Sequence, residues 1–296
     1  MSKRAYLIDS SIYIFRGWHV FDDAITDADG NPSNAVYGFT EFLYKLFEQK
    51  QPEYIACAFD AHQTNSYRRE IFSEYKANRP PAPEELKAQF RYCRQFCRAM
   101  GIPEFGSNRF EADDIIGTLA TRLRKEGFDI TIVSADKDLT QLVLGERDAW
   151  WDFARGNVLN HKGIEKQFGV KPEKIADMLA LAGDKVDNIP GIPGVGYKMA
   201  SNLLNKYENI EDILENIDSI SNMKFRGSAR IQNLVEEHQA ILPTNKRLTE
   251  IVTDAIFDDH EQHILWQGIP DEDVFHELFD QLNVSDQRRK RWLQLY

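Results

Sequence analysis

The chain has 296 residues, 42% of them hydrophobic, enough for one large or two ordinary domains with a sizeable core and too apolar for a disordered chain. A net charge of −11 argues on its face against a phosphate-rich partner. Asp9 and neighbouring serines break MSKRAYLIDSSIYIF before a signal core or membrane span can form, and three cysteines without a CxxC pair leave no zinc site or disulfide framework, so an intracellular, cytoplasmic protein with no membrane partner is expected.

RAYLID (4–9) reads as a buried strand, NAVYGFTEFLYKLFEQK (34–50) as an amphipathic helix and EYIACAFD (53–60) as a second strand. Both strands end in aspartate, Asp9 and Asp60. Between Tyr67 and Arg98 eight basic residues stand against four acidic ones, and DQRRKRW near the C-terminus adds another basic cluster. Acid and base are segregated, so local charge matters more than the average. RPPAP within the basic segment predicts a loop, because proline cannot continue a helix, and a helix follows from about Glu84 to Met100. Cys93 and Cys97 lie one turn apart on it, a spacing that suits buried packing.

RFEADDIIG (109–117) then gathers Glu111, Asp113 and Asp114 at the start of an apolar helix pattern running to about Gly127. Acidic residues suit the first turn of a helix. Three exceed what capping requires, since such close like charges repel unless something positive holds them ionised. DITIVSADKD (129–138) is a third strand that finishes on Asp136 and Asp138. Strands alternating with helices imply an α/β fold with a mainly parallel central sheet flanked by helices, and such sheets bind ligands outside the carboxyl ends of their strands. Asp9, Asp60, Asp136 and Asp138 arrive there with the acidic cluster. Carboxylates without histidine or cysteine suit hard ions, Mg²⁺ or Mn²⁺, and a phosphate-ester substrate.

From about His161 the pattern is mostly helical. LAGDKVDNIPGIPGVGYKMASNLL (181–204) adds Asp184 and Asp187, then the glycine-rich turn GIPGVG (191–196) leading into a helix near Tyr197. Glycines let backbone approach phosphate closely and a helix start offers N–H donors, so the turn suits a nucleic-acid backbone gripped without sequence preference. Its other reading is a tight corner.

In this order LIDSS, FDA, YKANRPPAPEEL, EADDIIGTLA, SADKDLTQL and GDKVDNIPGIPGVGYKMASNLL resemble the bacterial and phage 5′ nuclease family, the flap endonucleases and 5′→3′ exonucleases that include the N-terminal domain of DNA polymerase I. The resemblance covers nearly the whole chain and continues weakly through RLTEIVTD and ELFDQLNV. It implies the PIN-like 5′ nuclease fold. A catalytic α/β core over 1–160 would carry a helical arch at about 62–84. A helical region with a helix-hairpin-helix-type DNA-binding motif would span 161–250, and a C-terminal helical segment, 251–296, would pack on the core. The length leaves no room for an attached polymerase, so a free-standing, monomeric nuclease is expected.

Carried over position by position, the resemblance makes Asp9, Asp60, Glu111, Asp113 and Asp114 core carboxylates and Asp136, Asp138, Asp184 and Asp187 a second cluster. Together they imply two or more Mg²⁺ or Mn²⁺ ions, which activate water and stabilise the leaving oxygen. K⁺ is implied at the glycine turn, where Gly191, Gly194, Val195, Gly196 and Lys198 would contact DNA; Tyr197 stands where many relatives have proline. Lys76 and Arg79 match basic arch positions that clamp the scissile phosphate, against a reading as a solvated loop. Tyr75 either stacks on an unpaired base or packs as a loop aromatic, and Arg16 and Arg68 are either phosphate contacts or surface ion pairs. The implied substrate is DNA with a 5′ flap, 5′ overhang or duplex junction, in replication and repair. RNA is an alternative substrate, and a structure-selective DNA-binding protein with little catalysis is the competing reading. The QRRKRW tail either binds DNA or forms a solvated helix end.

Overall fold

The computed structural model describes residues 3–60, 66–257, 263–266 and 268–295; positions 62–65 of the expected arch lie outside the described residues. Six strands form one sheet: β1 (Arg4–Asp9), β2 (Tyr54–Asp60), β3 (Glu104–Ser107), β4 (Asp129–Val133), β5 (Ala149–Asp152) and β6 (Asn157–Leu159). Their order is β3-β2-β1-β4-β5-β6, with β1 to β5 parallel and β6 antiparallel to β5. The order reverses between β1 and β4, so β1 stands at the topological switch point, where a crevice opens beyond the strand ends. Asp9 is the last residue of β1.

Thirteen helices are described around the sheet. They are α1 (Ser10–Val20), α2 (Asn34–Lys50), α3 (Tyr67–Ile71), α4 (Glu84–Ala99), α5 (Ala112–Lys125), α6 (His161–Phe168), α7 (Ile175–Ala182), α8 (Tyr197–Lys206), α9 (Ile210–Glu215), α10 (Ser228–His238), α11 (Leu242–Thr249), α12 (Glu272–Gln281) and α13 (Asp286–Leu293). None is long and apolar enough to cross a membrane.

Strand periodicity sorts the core onto two faces. Ala5, Leu7, Ala56, Ala58, Ile130 and Ile132 point to one side, where a continuous apolar cluster takes in α5 and runs on through α7, α8 and α10. Ile8, Ile55, Cys57, Phe59 and Val133 point to the other, against α1, α2, α4, α12 and α13. On that face α1 and α2 meet at Gly17 and Gly38. A Cβ on Gly38 would lie 2.6 Å from the Gly17 Cα, so only glycine permits the approach.

Two features of the sequence find their packing here. Cys93 and Cys97 are buried free thiols, raised by burial, so their role is packing. The basic tail is α13, docked on α2 through Trp292, which meets Phe47, Tyr44 and Phe96 edge-on. Arg288 and Arg291 pair with Glu41 and lie over Tyr37 and Tyr44, and Arg289 pairs with Asp280. These three arginines are spent on holding the segment down.

Candidate metal and nucleic-acid site

Parallel register brings the strand-end acids together. Asp9 is level with Ala58 and Asp60 with Ser107, so both reach the same edge. Asp60 Oδ1 accepts the Ala112 N–H at 2.9 Å, anchoring the start of α5 to that edge. Ser134, directly after β4, donates to Asp9 Oδ2 at 2.7 Å. The third strand ends sooner than its sequence suggests: β4 stops at Val133, and Asp136 and Asp138 lie on the following loop and 3-10 turn. That loop folds on its own acids, with Asp136 Oδ1 accepting the Asp138 N–H at 2.9 Å.

Crowding shows in the ionisation. Burial, then Asp60 and Asp136, push Asp9 up to about 7. Asp113 is raised by burial and by Asp136, Asp9 and Asp60. Asp136 is raised by burial with Asp187 and Asp184 opposing its charge, and Asp138 by burial, Asp136, Asp184 and Asp187. Seven aspartates from five chain segments therefore share one field. Asp138 Oδ1 is buried and has no hydrogen-bond partner.

The remaining acids of EADD do something else. Glu111 is the N-cap of α5, and the Asp114 side chain returns to the Glu111 N–H at 3.1 Å, closing a capping box. Asp114 is fully buried. It takes a bidentate pair from Arg68 at 2.7 and 2.8 Å and accepts the Val252 N–H at 3.0 Å. Each of its oxygens thus accepts two hydrogen bonds inside the fold, so its expected place among the metal carboxylates is corrected to a structural one. Arg68 is corrected with it, being neither a phosphate contact nor a surface ion pair. Only 3% exposed, it also donates to the carbonyls of Leu248 and Glu250, tying α3, α5 and the end of α11 together.

Glu111 itself faces the segment that follows α3. Burial raises its carboxyl, but Lys76 and Arg68 outweigh that and hold it at about 2. Lys76 Nζ lies 2.8 Å from Glu111 and 3.8 Å from Asp187, and Arg79 pairs with Asp187. Neither cation is part of a solvated loop. Tyr75 is 2% exposed, and its hydroxyl reaches Glu111 at 3.0 Å and Asp187 at 3.1 Å. A ring so placed cannot stack on a base, and its packed reading holds. Main chain completes the dock. Lys76, at φ 54°, donates its N–H to the Asp187 carbonyl, Asn78 reaches the Lys185 carbonyl and Asn188 the Glu74 carbonyl.

The 184–189 loop is preformed. Asp184 and Ile189 exchange two backbone hydrogen bonds, and Asp184 Oδ1 caps the N–H groups of Val186 and Asp187. Gly183 and Gly191 then pass so closely that a Cβ on Gly191 would lie 2.2 Å from the Ala182 carbonyl carbon. Gly194 has φ +81°, the left-handed region that favours glycine. Val195 is buried while Gly194, Gly196 and Lys198 are exposed, so one side chain anchors the turn and its backbone faces a groove of about 670 Å³. Helix α8 starts at Tyr197 with Gly196 as N-cap, so tyrosine serves as the first helical residue. Arg16 is exposed on α1 and forms no ion pair among the described residues.

Sequence reasoning missed three supports. Ser134 has no motif beyond standing two residues before Asp136. Asn245 clasps the carbonyls of Ala180 and Pro190 from α11, and Arg230 of α10 extends beside Gly194. Both approach from distant sequence, so local pattern held no signal for them. Among the described residues, no three Asp, Glu, His or Cys side chains already form a closed metal-ligand group.

Comparison with known proteins agrees with this geometry. The family described as 5′-3′ exonuclease, N-terminal resolvase-like domain, matches residues 4–169, and the 5′-3′ exonuclease, C-terminal SAM fold, matches 170–272. A 5′-3′ exonuclease of Aquifex aeolicus is 41% identical over 72% of this chain and 73% of its own length. DNA polymerase I of Bacillus caldotenax is 37% identical over 90% of this chain, which spans 30% of that relative's length. T5 5′-exonuclease, solved with bound divalent metal ions (zinc), superposes with a TM-score of 0.66 at 20% identity, covering 95% of this chain and 100% of its own. The catalytic core of Rad2 in complex with DNA substrate gives 0.68 at 16% identity, covering 100% and 93%. By sequence and fold, the chain belongs to the 5′-3′ exonuclease family.

Proposed function

We propose that the chain is a divalent-metal-dependent 5′→3′ exonuclease and structure-specific 5′-flap endonuclease that hydrolyses DNA phosphodiester bonds near duplex junctions. One observation carries this reading: Asp9, Asp60, Asp113, Asp136, Asp138, Asp184 and Asp187 act on one another at one sheet edge, facing Lys76 across it. The donor set fits Mg²⁺ or Mn²⁺. It is all oxygen, its excess negative charge calls for cations, and Asp138 offers a buried oxygen with no partner. Among the described residues these carboxylates form no closed ligand group, which suits ions that keep part of their water shell. When bound, two or more such ions supply the acidity that readies water for attack and the charge that steadies the leaving oxygen.

The chain's own residues do the rest. Lys76 and Arg79 exchange Glu111 and Asp187 for the scissile phosphate and orient it, while Glu111 keeps the arch base in place between turnovers. Gly191, Gly194, Val195, Gly196 and Lys198 hold duplex backbone, the backbone oxygens of this turn would hold K⁺, whose charge would favour phosphate there, and Arg16 adds a contact beyond β1. In this division residues 1–160 carry most of the chemistry, 161–250 add Asp184 and Asp187 and grip the duplex, and 251–296 brace the core, all within a monomer.

The test is cleavage of a 5′-flap duplex labelled at either end, with Mg²⁺, Mn²⁺ or EDTA, for wild type and Asp113→Ala. Metal-dependent cutting near the junction, lost in the variant, is expected, and product length reports the balance of the two modes. Tight binding without cutting under any metal would leave a structure-selective binder.

A further inference from the structure

Lys137 is the cation inside SADKD, and its placement differs from that of Lys76 and Arg79. Those two are taken up by carboxylates, whereas no carboxylate lies within ion-pair distance of Lys137 Nζ among the described residues, although Asp138 adjoins it. Its ammonium instead donates to the Tyr197 hydroxyl at 2.7 Å and sits 4.6 Å from the centre of the Tyr197 ring. A hydrogen bond and a cation–π contact pin one long, otherwise mobile side chain. An ammonium has three donors, so two N–H groups stay available. Tyr197 is 37% exposed and is the first residue of α8, directly after Gly196.

The position gives the pair its meaning. Lys137 feels the charges of Asp138 and Asp184 on one side and touches the end of the glycine turn on the other. A strand held at the glycine turn and cut at the carboxylate edge has to cross between them, where its phosphates meet a strongly negative surface. A fixed cation at the crossing offsets that repulsion. Resting on the DNA reading above, we propose that Lys137, held by Tyr197, is a phosphate-contact site that carries the DNA strand from the glycine turn to the cleavage centre. The hydroxyl of Tyr197 does the positioning, which proline at that place would not provide.

The experiment is binding of a fluorescent 5′-flap duplex by anisotropy over a range of KCl concentrations, in EDTA and again with Ca²⁺. Wild type is compared with Lys137→Ala, Tyr197→Phe and Lys125→Ala, the last removing an exposed charge at the far end of α5. For Lys137→Ala the slope of log affinity against log salt should fall by about one, with affinity roughly fivefold weaker at low salt. Tyr197→Phe keeps the ring and the lysine, so its slope should hold while affinity falls about two- to threefold. Lys125→Ala should match wild type. A Lys137→Ala slope and affinity equal to wild type overturn the proposal, as does an equal loss in Lys125→Ala, which would mean a general charge effect. Failure of wild type to bind the duplex even at low salt would overturn the DNA reading itself.

Discussion

Asp113 and Asp114 are neighbours with opposite duties, because one helical step turns the first toward the crevice and the second into the core. Asp113→Asn removes a charge from the shared carboxylate field. Cleavage should fall more than about 100-fold and Mn²⁺ should bind more weakly in a calorimetric titration. Asp114→Asn should leave Mn²⁺ stoichiometry intact and instead lower the unfolding free energy by about 3–5 kcal/mol, since it strands the buried Arg68 without its counter-charge. A lost Mn²⁺ site in a variant of unchanged urea midpoint would return Asp114 to the metal set. The carboxylate reading of EADD was legible as charge density, but which acid serves which purpose was not. That depended on Arg68, Leu248, Glu250 and Val252, the last of them 138 positions from Asp114.

At the scale of elements, the glycine turn separates fold from grip. A Cβ on Gly191 would meet main chain of Ala182 and Gly183 within 2.4 Å, whereas one on Gly196 would meet nothing within 4 Å. Gly191→Ala should therefore destabilise by about 1–3 kcal/mol, visible as a lower thermal midpoint. Gly196→Ala should change stability by less than about 1 kcal/mol yet weaken duplex binding, because its methyl stands where a phosphate comes close to backbone. Equal DNA affinity for Gly196→Ala and wild type would show that this glycine does not face the strand. Helix α2 and strands β1 and β2 were readable from periodicity over six residues or more. Strands β3, β5 and β6 have four residues or fewer at the flanks of the sheet, and helix α1 follows β1 without any turn signal, so none announced itself.

The whole molecule carries a conflict of charge that pH exposes. Asp9 has its folded pKa raised to about 7 from an ordinary 3.8, so its contribution to stability is full below about pH 4 and is lost as pH rises through about 7. Glu111 is lowered to about 2 from 4.5, so its contribution is present above about pH 4.5 and is lost as pH falls through about 2. In EDTA the thermal midpoint should peak near pH 4 to 5 and decline toward neutrality. Saturating Mg²⁺ should remove most of the decline above pH 5, since bound cations take over the task of protons. A midpoint in EDTA that is flat or rising from pH 5 to 8 would mean that the aspartates do not crowd as described.

What the sequence determined by itself was the alternation of β1, α2, β2, α4, α5 and β4, the strand-end position of Asp9 and Asp60, and the glycine turn, because each is written in contiguous residues with a period or a spacing. Tertiary structure alone decided that Tyr75 packs, that Asp114 holds Arg68, that the arginines of α13 are spent on α2 and α12 and that Lys137 leans on Tyr197. Each of those roles depends on which buried charge meets which partner, and partners across a fold are chosen by packing, which leaves no local pattern in the chain.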